Sequence, residues 1–363
     1  MTVGIVFGGP SVEHDISIIT ACQICASINP KKYTILPIYY SKNKTFHILQ
    51  NLTSIEEFKE DIKVLEEVFI TRLGVKFKGK FRKIIPLDCV IGAFHGKNTE
   101  SGELAGFFET LGIPYSFNGV LGASIGQDKI IMKKVLKSDQ IPILDFVSFS
   151  YQEYIENYDK ILQKINTINY PIIIKPTMLG SSIGIKVIYD EKELKKALNY
   201  AFKFDEYLVV EKALKNYKEF NCAIIENTLS DIEEVDVIDD IFTFEDKYQT
   251  KKSKHILPAQ ISEELKQEIY DLTRKTSNSL RNESIARIDF LYDLDENKVY
   301  VNEINTIPGA LSYYLFESKG IFFDELLDKL ISLTMKRDYK KKQLLTHFES
   351  SVLNSVNSLK MKK

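Results

Sequence analysis

The chain carries Ala286-Arg-Ile-Asp-Phe-Leu-Tyr292 and, a little further on, Asn302-Glu-Ile-Asn-Thr-Ile-Pro-Gly309. In both runs apolar residues alternate with polar or charged ones, the period of a strand with one buried face. Glu303 and Asn305 stand at i and i+2, so their side chains leave the same face; Arg287 and Asp289 are related in the same way. Carboxylates inside otherwise apolar strands are costly to bury unless paired or metal-bound. Asp289, Glu303 and Asn305, from two neighbouring strands, suit magnesium, which takes carboxylate and amide oxygens and shares its shell with phosphates. The alternative is a salt bridge between Asp289 and Arg287. A cation beside such a site holds phosphate oxygens or a developing oxyanion. Gly309, after Pro308, either offers a bare backbone N–H to a substrate oxygen or is only a turn residue.

Working upstream, the strand candidate Tyr170–Pro176 ends in Lys175-Pro176 and leads to Gly180-Ser-Ser-Ile-Gly184. Small residues between glycines let backbone N–H groups close around an anion, here with a lysine nearby. The spacing is neither that of a P-loop nor that of a dinucleotide fold, and an ordinary hairpin turn is the competing reading. Nearer the N-terminus, strand candidates at Val3–Phe7, Tyr33–Tyr40 and Cys89–Phe94 alternate with helical patterns at Ile16–Ile24 and Glu103–Leu111. That order predicts a doubly wound open sheet. Leu52–Lys83 is polar and irregular in period and reads as an insertion decorating that domain. A boundary is expected near Gly119, followed by an amphipathic helix at Lys129–Leu136, strands at 185–188, 207–211 and 220–225, and a last helix from Phe323 to Met335.

The length of 363 residues suits two or three packed domains, and the 44% apolar content is that of a globular chain. A net charge of −2 gives no electrostatic case for a nucleic-acid or membrane partner. No secretory signal or membrane-length apolar run is present. Cys22 and Cys25 make a C-x-x-C without a second pair. In an apolar helical pattern they read as two buried thiols one turn apart, and a reducing cytoplasm is the expected compartment.

These motifs, in order, resemble the D-alanine–D-alanine ligases of the ATP-grasp superfamily over roughly residues 3 to 337. The resemblance is carried by Phe7-Gly-Gly-Pro-Ser-Val-Glu-His-Asp15, Phe94-His-Gly96 with Glu100 and Gly102, Leu111-Gly-Ile-Pro-Tyr115, Asp128-Lys129 and Ile174-Lys-Pro176. It continues through Gly180–Gly184, Glu211, Asp246-Lys-Tyr248, Pro258-Ala259, Arg287-Ile-Asp289 and Asn302–Gly309. It implies an α/β and α+β chain with the ATP-grasp fold: a Rossmann-like N-terminal domain (1–118) and two α+β subdomains that grip ATP (119–211 and 212–337). A C-terminal extension, expected to be helical, follows at 338–363. By the same resemblance Lys129 and Lys175 hold the nucleotide phosphates, Glu211 lies at the adenine hinge, Glu219 on the ribose hydroxyls, and Lys247 is a further nucleotide contact. Asp289, Glu303 and Asn305 match the magnesium ligands, with manganese an acceptable substitute. Glu13 matches the residue that receives the first substrate's ammonium, partnered by Ser181 and by Tyr248 on a lid over 239–255. Arg287 and the Gly309 N–H match the oxyanion-stabilising pair. The implied enzyme is a cytoplasmic homodimer that joins D-alanine to D-alanine through an acyl phosphate for peptidoglycan. Rival readings are a ligase with another acceptor and an inactive nucleotide-binding regulator.

The chain departs from the family pattern at three places. Thr99-Glu-Ser-Gly102 keeps the acidic residue at Glu100 but has Ser101 where an aspartate is usual. Tyr314 falls where a serine is expected to hold the second substrate's carboxylate; tyrosine still donates a hydrogen bond but is far larger. The tail beyond Asp338 is long, with Leu344, Leu345, Phe348, Val352 and Val356 at helical spacing.

Overall fold

The structure is a computed structural model and describes residues 1–62, 65–79, 83–236 and 254–346. Three sheets organise these residues. The first holds β1 (Thr2–Gly8), β2 (Thr34–Tyr40), β3 (Phe46–Ile48), β4 (Glu66–Thr71), β5 (Gly74–Phe77), β6 (Ile84–Ile85) and β7 (Cys89–Gly92), in the order β6-β5-β4-β3-β2-β1-β7. β1 is buried from Val3 onward and pairs in parallel with β2 and β7, as its unbroken apolar run requires. The strands β3 to β6 pair antiparallel. The sheet is therefore mixed, parallel only around β1. Part of Leu52–Lys83, expected as decoration, instead extends this sheet. Val68 with Ile70, and Val75 with Phe77, are buried at period two, a signal too short to stand out among charged neighbours.

The second sheet holds β8 (Phe146–Ser150), β9 (Ile172–Pro176), β10 (Lys186–Ile188) and β11 (Tyr207–Lys212), all antiparallel, in the order β10-β9-β11-β8. The third holds β12 (Tyr217–Ile225), β13 (Thr228–Asp236), β14 (Lys254–Ile256), β15 (Ile285–Asp293) and β16 (Lys298–Asn305), in the order β14-β13-β12-β15-β16. Its antiparallel register sets Asp289 opposite Glu303 and Arg287 opposite Asn305.

The core packing crosses the expected boundaries. The helix Lys129–Ser138, capped by Asp128 on the N–H groups of Ile130 and Ile131, buries Met132 and Leu136 against Phe220 and Ile288 of the third sheet. The helix Phe323–Lys342 runs a further two turns beyond its expected end at Met335. Its Leu326, Leu327, Leu330 and Ile331 join the core of the first sheet. Both swaps follow from side-chain apolarity seeking the nearest uncovered sheet face, which chain order does not dictate. Of the C-terminal extension, 338–342 continue this helix, Leu344 and Leu345 are exposed, and 347–363 lie outside the described residues. Cys22 and Cys25 are buried free thiols, and burial pushes Cys22 up to about 11. Among the described residues no helix is long and apolar enough to cross a membrane.

Candidate active site

One cavity of about 340 Å³ opens where the three sheets meet. It is lined by Glu13, Lys129, Ser181, Glu219, Arg287, Asp289, Glu303, Asn305 and Gly309. These residues come from six separate parts of the sequence. Lys247 and Tyr248, with the lid expected over 239–255, lie outside the described residues except for 254 and 255.

Glu13 precedes the helix His14–Ser27, in the loop that leaves β1. The Ser181 hydroxyl donates to Glu13 Oε1, joining the first sheet's loop to the β9–β10 hairpin. Ser181 and Ser182 both sit in the left-handed region, at φ 53° and 58°. Gly96 is at φ 79°, and a Cβ there would come within 2.6 Å of Glu13 Oε2. The carboxylate is thus confined by a glycine chosen for both conformation and space.

Across the cavity, Arg287 grips Asp289 with both prongs, Nε to Oδ1 at 2.7 Å and Nη2 to Oδ2 at 2.9 Å. Burial works against the guanidinium charge, but Asp289 outweighs it and Arg287 stays protonated. Asn305 donates its amide to Asp289 Oδ2 at 3.0 Å. Glu303 pairs with Lys129 at 3.2 Å, and Lys129 also donates to the Leu179 carbonyl at 2.8 Å. The salt bridge that the sequence offered as the alternative to metal binding is therefore formed. Three oxygen-bearing side chains nevertheless stay on one wall of the cavity.

Lys175 and Glu211 are not part of that lining. Glu211 is fully buried and pairs with Lys175 at 3.2 Å and Lys133 at 3.3 Å. Burial pushes its carboxyl up, yet the two lysines together hold it below the usual carboxylate range. Lys175 also donates to Asn302 Oδ1 at 3.0 Å, tying the second sheet to the third. Lys133 escaped the sequence reading. Its signal is its place at i+4 from Lys129, on the buried face of an amphipathic helix.

Glu233 and Thr20 also escaped the sequence reading. Glu233 on β13 accepts from Asn221 at 3.0 Å, from the Tyr314 hydroxyl at 3.1 Å and from His255 at 2.8 Å. Burial raises its carboxyl, but His255 and Asn221, with the charge of Arg287, bring it below the usual range, and Glu233 in turn raises His255. Thr20 and His95 reach the loop around Gly309. Glu100, kept by the family pattern, accepts from Gly96 N at 3.1 Å, Thr306 Oγ1 at 2.9 Å and Ile307 N at 2.8 Å. Beyond Gly309, Ala310, Leu311 and Ser312 lie at φ 50°, 52° and 50°. A left-handed turn of L-residues costs roughly 1–2 kcal/mol at each. Ser101, which replaces the usual aspartate, donates to Glu103 and accepts from Asn98 N at 3.1 Å.

The D-ala D-ala ligase N-terminus family matches residues 2–117, and the D-ala D-ala ligase C-terminus family matches 135–332. The chain belongs to the D-alanine–D-alanine ligase family. A D-alanine–D-alanine ligase of Thermosipho melanesiensis is 38% identical over 95% of this chain and 96% of its own. That of Thermosipho africanus is 36% identical over 98% of each. Among solved structures, the VanG D-Ala:D-Ser ligase of Enterococcus faecalis aligns with TM-score 0.81 at 28% identity, over 92% of this chain and 99% of its own. The Bacillus anthracis D-alanine–D-alanine ligase complexed with ATP aligns with TM-score 0.70 at 26% identity, over 94% and 99%. Membership makes the chain an ATP-using, ADP-forming ligase with the ATP-grasp fold, in a family whose product serves peptidoglycan synthesis.

Proposed function

We propose that this ligase joins two D-alanine molecules through a D-alanyl phosphate, using the cavity between the three sheets. The observation that carries the reading is the pairing, across one cavity, of the Glu13–Ser181 clamp with the Arg287–Asp289–Glu303–Asn305 wall. A carboxylate held by a hydroxyl on one side suits an ammonium group, and a cation-and-oxygen wall on the other suits phosphates.

The donor set fits magnesium: Asp289 and Glu303 carboxylates face each other across adjacent strands, and Asn305 spends its amide nitrogen on Asp289, keeping its carbonyl oxygen for a cation. Bound there, the ion neutralises charge on the phosphoryl group during transfer. The chain's own residues do the rest. Glu13 receives the first D-alanine's ammonium, and Ser181 fixes that carboxylate's orientation. With the amino acid so held, its carboxylate oxygen attacks the γ-phosphorus of ATP; the bond to the β-phosphate oxygen breaks and ADP leaves. Lys129, and the Lys175 group behind it, neutralise the nucleotide phosphates. The second D-alanine enters with its amine as the free base and attacks the acyl carbon; the carbon–oxygen bond to phosphate breaks, the nitrogen gives up one N–H proton to the departing phosphate, and inorganic phosphate leaves. Arg287 and the Gly309 N–H hold the oxyanion of that step. Glu219 on the ribose, Glu211 at the adenine side, and Lys247 and Tyr248 over the site complete the proposed roles. The setting is a cytoplasmic homodimer with small-molecule substrates.

A second acceptor is favoured by one observation, the tyrosine at position 314. The test is ADP and phosphate release with ATP and a panel of D-amino and D-hydroxy acids, with product mass. D-alanyl-D-alanine as the main product supports the reading. No amino-acid-dependent phosphate release across the panel would sink it, and a preferred non-alanine acceptor would move the chain to the second reading.

A further inference from the structure

The turn that follows Gly309 is left-handed through three non-glycine residues, and such backbone persists only where its surroundings over-determine it. The first sheet's domain supplies that constraint. The Ala310 N–H donates to Thr20 Oγ1 at 3.1 Å. Thr20 Oγ1 lies 2.9 Å from His95 Nε2, and His95 Nδ1 lies 2.9 Å from the Ile307 carbonyl.

The direction of each bond follows from its ends. A carbonyl only accepts, so His95 Nδ1 carries a proton. In a neutral imidazole Nε2 then accepts. Thr20, already accepting from Ala310, gives its single proton to His95. Burial pushes His95 down to about 4, which keeps the ring neutral. The relay thus spans from the Ile307 carbonyl to the Ala310 N–H, and Gly309 lies between its two ends. Glu100 fixes the same segment one step earlier, at Thr306 and Ile307. Thr20 itself is 1% exposed at the cavity wall; its one proton goes to His95 and one of its two acceptor positions to Ala310.

We propose that Thr20, acting through His95 and Ala310, is a positioning residue that aims the Gly309 peptide at the reacting carbonyl. This rests on the reading of Gly309 as an oxyanion donor. A hydrogen bond held in place before the reaction contributes without reorganisation, so loss of aim lowers turnover more than substrate binding.

The test compares the full-length protein with its Thr20→Val and Thr20→Ser variants, using D-alanine and ATP. Valine keeps the shape and removes both hydrogen bonds. The expected result is a fall in kcat of about tenfold or more, with the KM for ATP within about twofold of wild type. The thermal midpoint should fall by a few degrees, because valine leaves His95 Nε2 and the Ala310 N–H unpaired, and serine should restore both the midpoint and kcat. A role confined to domain docking would lower the thermal midpoint alone and leave kcat of the folded enzyme at the wild-type value, which overturns the proposal. A rise in amino-acid KM alone overturns it too, because it makes Thr20 a binding contact. If Thr20→Val does not fold, Thr20→Cys replaces it, since sulfur donates and accepts only weakly; kcat within about twofold of wild type then refutes positioning. An active wild type with unaffected variants fails this proposal alone, whereas an inactive wild type fails the ligase reading and this one together.

Discussion

The Tyr314 hydroxyl donates to Glu233 Oε2 at 3.1 Å, at the edge of the cavity where a second substrate's carboxylate was expected to find a hydrogen-bond donor. The phenol proton is therefore committed to the protein. Burial, reinforced by Glu233 though opposed by Arg287, pushes its ionisation well above the ordinary tyrosine range. Tyr314→Phe should lower stability by about 1–2 kcal/mol, the cost of a hydrogen bond lost from a buried carboxylate. It should raise the acceptor KM by no more than about threefold, because the ring still shapes the pocket. Denaturant midpoints and acceptor titrations check both. A tenfold loss of acceptor affinity at unchanged stability would show instead that the hydroxyl binds the acceptor.

Gly309 lies outside the left-handed region, and a Cβ built on it meets nothing within 4 Å. Neither conformation nor protein packing calls for glycine there. Gly309→Ala should hold or raise stability, by up to about 1 kcal/mol through the unfolded chain. Turnover should nonetheless fall by roughly tenfold or more, because the methyl group stands where substrate approaches the N–H. Thermal midpoint and kcat measured on one preparation separate the two effects. Unchanged turnover would leave Gly309 as a turn residue only.

Glu303 pairs with Lys129 and stands opposite Asp289. Glu303→Gln keeps its size and removes its charge. Turnover should fall by about a hundredfold or more, and the magnesium concentration needed for half activity should rise. Activity titrated with magnesium, before and after chelation, measures both. A variant with wild-type turnover and wild-type magnesium dependence would refute Glu303 as a ligand.

Burial pushes Glu100 up to about 7, against the pull of its N–H and hydroxyl donors. Its folded form therefore binds a proton more tightly than the unfolded chain does. The stabilisation from that proton is complete below about 4.5 and is lost as pH rises through about 7. Integrated over that window it amounts to roughly 3 kcal/mol. Glu100→Gln removes this dependence. Denaturant midpoints from pH 4 to 8, compared between the two proteins, should show wild type losing ground as pH rises; parallel profiles would contradict the shift.

Much of the site was legible because it repeats within single elements. Strand alternation alone placed Asp289 with Arg287, and Glu303 with Asn305, on shared faces, and the register of β15 and β16 brings those faces together. The family motifs supplied the ligase chemistry and the fold. Glu233 stayed hidden because a glutamate in a strand has no pattern to mark it; its partners Tyr314, Asn221 and His255 come from three other elements. Lys133 looked like one more lysine on an amphipathic helix until Glu211 was found against it.

The sequence by itself determined the local matters: which residues share a strand face, where helices start, and the family to which the motifs belong. Periodicity and chirality act over a few residues, and so they can be read from a few residues. Only the tertiary structure decided that Ser181 meets Glu13, 168 positions away, that His95 reaches Ile307 across 212, and that Thr20 reaches Ala310 across 290. It also decided that the turn after Gly309 is left-handed. A polar side chain carries no local record of its partner; the partner is set by how separately folded sheets and helices bury their apolar faces against one another.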